Sequence, residues 1–93
     1  MQLSNEKTLK LASVLGDLLK EQRVKQKNIS LDKLANEYEI SKGTLSSIEN
    51  GTFNCKFLTL WIVSEALGIK CSELIKKLED TLGDDFKVIE EWL

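Results

Sequence analysis

The sequence predicts an all-α domain, and three observations carry that expectation. Its 93 residues contain no proline. Strand-forming runs are missing. Apolar residues recur instead at three- and four-residue spacing, in segments that open on serine and close on asparagine or glycine. With 30% charged residues, a chain of this length encloses a single core beneath a well-solvated surface.

The elements follow in order. Ser4 is placed to cap a long first helix, whose Leu11, Val14, Leu15, Leu18 and Leu19 fall on one side. This helix runs through the basic stretch KEQRVKQKN and stops near Asn28, a residue that tolerates a left-handed cap. Ser30 caps a second helix, with Asp32 in its first turn complementing the helix dipole and Leu31, Leu34, Ala35 and Tyr38 on one face, ending near Glu39. Ser41 caps a third, with Leu45 and Ile48 inward and Asn50-Gly51 as its stop. FLTLWIVSEALG makes a fourth, ended by Gly68. Ser72 is read as the cap of a fifth, carrying Leu74, Ile75, Leu78 and Leu82 and broken by Gly83. Asp84 or Asp85 then opens a last segment, FKVIEEWL, with Phe86, Ile89 and Leu93 or Trp92 on one side.

Composition removes several classes of function. No stretch approaches the ~18 consecutive apolar residues of a membrane span, and MQLSNEKTLK lacks the layout of a signal peptide. A cytoplasmic protein without a membrane partner is therefore expected. The chain has two cysteines and no histidine, too few soft ligands for a zinc site, so no metal and no cofactor are expected. Cys55 and Cys71 read as small apolar fillers. Without histidine or a glycine-rich phosphate loop, an enzyme is not expected. The net charge of −2 is unevenly spread: residues 1–78 hold 12 basic and 9 acidic side chains, whereas residues 79–93 hold Lys87 against six acids. Binding answers to the local field, so the mildly basic body remains open to an acidic polymer.

The stretch ISKGTLSSIENG raises the functional question. As a helix it buries Leu45 and Ile48 and leaves the opposite side nearly bare. Two short helices, 30–39 and 41–50, joined by a tight turn have the length and spacing of a helix-turn-helix. SLDKLANEYEISKGTLSSIENG followed by LTLWIVSEALGIKCSEL resembles the lambda-repressor-like, XRE-type helix-turn-helix family over residues 15–78. That resemblance implies a five-helix fold with its third helix in the DNA major groove. It leaves residues 1–14 as an N-terminal extension of helix 1, and residues 79–93 as an acidic C-terminal tail, helical or extended, and a possible dimerisation element.

Carried onto this chain, the resemblance assigns base reading to Lys42, Gly43, Thr44, Ser46 and Ser47, whose small side chains let the helix sit deep in the groove. Lys42 suits a guanine O6/N7 edge or a phosphate, and the hydroxyls suit either contact. Ser41, Asn50, Asn54 and Lys56 are the phosphate candidates. The resemblance also pairs Arg23 with Glu49 as a structural ion pair orienting the third helix. Three departures weaken phosphate binding or the turn. Leu31 stands where many relatives carry glutamine, Phe53 where a basic residue is frequent, and Glu39 in place of the turn glycine.

The fourth helix has more apolar surface than one core uses. Leu58, Trp61 and Ile62, together with Phe86, Ile89 and Trp92, are the expected homodimer interface, and a fold-back of the tail within one chain is the competing arrangement. The function expected is a sequence-specific regulator of transcription, a dimeric repressor bound to double-stranded DNA. The alternative is a protein-interaction module, an antitoxin or adaptor, that docks a protein partner at the acidic tail.

Overall fold

The structure, a computed structural model, describes residues 2–52 and 55–90. Five α-helices surround one core, and a two-stranded clasp joins the ends of this described chain. Strand β1 is Gln2–Leu3, and helix α1 is Asn5–Glu21. Ser4 caps α1 by accepting a hydrogen bond from the Lys7 amide at 3.2 Å. The helix then widens into a π-helical turn, Gln22–Lys27, and ends on Asn28 at φ 51°. An asparagine adopts this left-handed conformation more readily than most residues.

Helices α2, Leu31–Glu37, and α3, Lys42–Glu49, are capped by Ser30 and Ser41, each accepting an amide hydrogen bond from the residue three positions on. Between them Glu39 takes φ 53°. Helix α4 is Phe57–Ala66, closed by Gly68 at φ 72°. Helix α5 is Cys71–Leu82 and ends at Gly83. The expected cap at Ser72 is corrected by two residues: Lys70 is the N-cap, with no side-chain hydrogen bond, and Ser72 lies inside the first turn.

Leu19, Leu34, Leu45, Ile48, Val63, Leu67 and Leu74 are each at most 2% exposed and draw all five helices onto one core. Cys55 and Cys71 pack against its edge, half-buried, and burial followed by the nearby Cys71 pushes the Cys55 thiol up. Gln22 donates from Nε2 to the Leu67 carbonyl at 3.3 Å, tying the π-helical turn to the end of α4.

The fold-back of the tail, expected as the competing arrangement, takes the form of a strand pairing that the sequence pattern does not show. Strand β2, Ile89–Glu90, pairs antiparallel with β1, Leu3 facing Ile89 and Gln2 facing Glu90. The Ser4 amide extends the ladder to the Val88 carbonyl at 2.8 Å. The tail is thus extended over these residues and folds back on its own chain. Phe86 is half-buried, with the Lys7 ammonium 5.5 Å from its ring centroid. The molecule measures 50 × 23 × 19 Å.

Candidate nucleic-acid interface

Helix α3 is seated by its inner face and bare on its outer one. Leu45 and Ile48 are 2% exposed, which anchors the two apolar positions of an eight-residue helix. Lys42 and Gly43 are exposed, and Thr44, Ser46 and Ser47 are half-buried. Nothing bulky projects from the outer face, so a groove wall can approach the backbone closely. The Ser46 hydroxyl has an internal partner, with Asn50 donating from Nδ2 to its Oγ at 3.4 Å, and Thr52 donates from Oγ1 to the Ser47 backbone carbonyl at 3.1 Å.

The seat beneath α3 depends on two glycines. A Cβ added at Gly16 of α1 would lie 2.7 Å from the Glu49 carbonyl oxygen and meet that of Ile48. Gly51, at φ 72°, lies against Ser13, whose Cα would be 2.7 Å from an added Cβ. The sequence marks Gly51 as a helix stop and gives no further sign of its close packing. A glycine inside a helix costs about 1 kcal/mol against alanine, so an isolated one on an apolar-periodic segment was the available signal of close approach.

Arg23 fixes the same end of α3. Its Nε and Nη2 donate to the two carboxylate oxygens of Glu49 at 2.7 and 2.9 Å, and its Nη1 donates to the Ile29 carbonyl at 3.0 Å. The side chains are 12% and 10% exposed. The hydrogen bond to Glu49 raises the Arg23 pKa further, against the opposing effect of burial. This bidentate geometry joins the end of α3 to the first helical segment and to the loop before α2.

At the other end of α3, Lys42 is not free. Its Nζ lies 2.7 Å from Asp32 Oδ1, across the first turns of α2 and α3. Among the phosphate candidates, Ser41, Asn50 and Lys56 are exposed. The Ser41 hydroxyl caps its own helix. Asn54 lies outside the described residues, as do Phe53, Trp92 and Leu93. Leu31 is half-buried against the core, so it has exchanged a polar contact for packing. No group of histidine, cysteine or acidic residues arranged for a metal occurs among the described residues, and no helix is long and apolar enough to cross a membrane.

Of the six residues read as one dimer surface, the five that are described separate into two regions. Leu58, Trp61 and Ile62 lie exposed on α4 beside Phe57, with Phe57 and Trp61 in an edge-on contact at 6.0 Å. Trp61 borders a hollow of ≈ 540 Å³ shared with Cys71 and Ser72 in the first turn of α5. Phe86 instead lies in a second hollow with Leu78 and Leu82 in the last turns of α5, about 15 Å along the helix at 1.5 Å per residue. Ile89 belongs to the clasp.

Two short capped helices around a tight turn, the second seated on a third helix and bare outside, define a helix-turn-helix protein. The chain belongs to the lambda-repressor-like helix-turn-helix family, whose model, described as helix-turn-helix, matches residues 19–74. The control protein C.MunI from Mycoplasma sp is 34% identical over 64 residues, which are 69% of this chain and 86% of that protein. The crystal structure of the clp gene regulator ClgR from C. glutamicum is similar with a TM-score of 0.70 at 27% identity, covering 78% of this chain and 92% of that one. The family is one of DNA-binding transcription regulators, and both similar proteins carry the names of regulators.

Proposed function

We propose that the protein is a sequence-specific, double-stranded-DNA-binding regulator that acts as a dimeric repressor and reads the major groove with α3. The observation that carries this reading is the outer face of α3: Lys42 at its start, Gly43, Thr44, Ser46 and Ser47 along it, and no large side chain to hold it off the groove floor. Ser41, Asn50, Asn54 and Lys56 supply phosphate contacts, and Arg23 with Glu49 fixes the angle at which α3 is presented. Residues 15–78 form the DNA-binding domain, with residues 1–14 and 79–93 added to it. The names control protein and clp gene regulator, borne by the similar proteins, support a regulatory role. No catalytic or cofactor role is assigned, and the site of action is the cytoplasm, where DNA is accessible.

Few phosphate contacts leave one copy weakly held, because each phosphate neutralised contributes a salt-dependent increment of affinity. A second copy restores affinity by doubling the contacts. Phe57, Leu58, Trp61 and Ile62 offer the surface for it, being 69, 70, 48 and 38% exposed. Full burial of a large apolar side chain contributes roughly 1.5–3 kcal/mol. Two-fold pairing here places two α3 helices for half-sites about one DNA turn apart.

The test is selection from a pool of random-sequence duplexes, followed by sequencing of the bound fraction. Enrichment of an inverted repeat with half-sites spaced by about one turn is expected. Enrichment of no sequence would refute base reading, and enrichment of a lone half-site would refute the dimer.

A further inference from the structure

Lys42 is the single basic residue of α3, yet it stands 2.7 Å from an acid on another helix. Asp32 is exposed, so no burial demands a partner for it, and the N-terminus of α2 already favours its negative charge. On the reading of α3 as the recognition helix, Asp32 stands among the phosphates that the first turn of α2 meets. An acid there repels DNA.

The geometry supplies a use for the charge. A lysine ammonium has three donors and no acceptor. Paired with Asp32 by charge, the ammonium keeps donors for a guanine O6/N7 edge. A free lysine samples many rotamers, loses that freedom on fixing a base contact, and swings as readily to a phosphate. Paired with Asp32 while both side chains stay solvated, its ammonium is biased toward the start of α3 and away from the backbone. We infer that Asp32 is a specificity-determining positioning residue: its carboxylate holds Lys42 to one base pair and lowers the affinity for all DNA. This inference rests on the proposed reading of DNA by α3.

The experiment uses the full chain and the duplex enriched by wild type from the random pool. Wild type, Asp32→Asn, Asp32→Glu and Lys42→Met are titrated against that duplex, its single-base-pair variants and an unrelated duplex. Asp32→Asn is expected to bind the unrelated duplex about 2- to 5-fold more tightly, since one repelling charge is gone. It is expected to lose about 2- to 5-fold in discrimination at the base pair where Lys42→Met loses it, a size that a solvated ion pair can supply. Asp32→Glu restores part of that discrimination, and Asp32→Asn adds nothing to it in the Lys42→Met background. Both positions are exposed, and unchanged circular dichroism melts check the fold. Equal tightening on every duplex, with discrimination intact, would show Asp32 to be a repelling charge only and overturn the inference while α3 reading stands. Failure of wild type to enrich any sequence would overturn the α3 reading itself, and this inference with it.

Discussion

At Arg23 and Glu49 two opposite charges have left most of their water and hold each other through two hydrogen bonds. Removing one strands the other, and the penalty for an unpaired buried charge exceeds the value of the pair itself. Arg23→Ala is therefore expected to lower stability by about 3 kcal/mol in urea unfolding, with the added loss of the Ile29 carbonyl's donor. A change below about 0.5 kcal/mol would mean a solvated surface pair. Gly16→Ala sets two effects against each other. Alanine favours the helix by about 1 kcal/mol, whereas its methyl forces apart α1 and the end of α3, and overpacking costs about 1–3 kcal/mol. Backbone atoms are what it meets, so the contact prevails: a less stable protein with weaker DNA binding is expected from unfolding and titration. A more stable variant would contradict the close approach. The Arg23–Glu49 spacing was readable only through the family wording, since 26 residues separate the two. Asp32 beside Lys42 was not readable, because each had a sufficient local explanation.

The helices themselves were legible where their signals are local. Ser4, Ser30 and Ser41 cap through the next turn, and Asn28, Gly51, Gly68 and Gly83 end segments through their own φ. Helix α5 misled by two positions because its start lacks a capping side chain and Ser72 offered one. The π-helical turn and the clasp were invisible for another reason. Two-residue strands carry no periodicity, and their pairing joins Leu3 to Ile89, a contact no local pattern encodes. The turn between α2 and α3 gives a prediction at this scale. Glu39 sits at φ 53°, where a Cβ is strained, so Glu39→Gly is expected to stabilise the protein by about 0.5–1 kcal/mol. A rise in thermal midpoint at unchanged DNA affinity is the expected result, and a fall in the midpoint would contradict strain at this turn.

Across the whole molecule, the ends of the described chain close on each other while α4 keeps an apolar face open. Up to Glu90, the tail expected to share this face is held against β1 and the start of α1 by the clasp, and Phe86 is occupied at the far end of α5. In the proposed dimer a second copy meets α4 through Phe57, Leu58, Trp61 and Ile62. Sedimentation of wild type at twice the 10.5 kDa chain mass, and of Leu58→Lys with Ile62→Lys at the single mass, is expected. A monomeric wild type at micromolar concentration would contradict the proposed interface.

Reading of bases by α3 is tested most directly by fluorescence anisotropy against DNA from upstream of the protein's own gene. Wild type and the variant combining Lys42→Ala with Ser47→Ala are titrated at several salt concentrations, beside an unrelated duplex. Tight, salt-sensitive binding that prefers the upstream DNA, with the preference lost in the double variant, is the expected result. Equal and weak binding to both duplexes, unchanged by the substitutions, would contradict it.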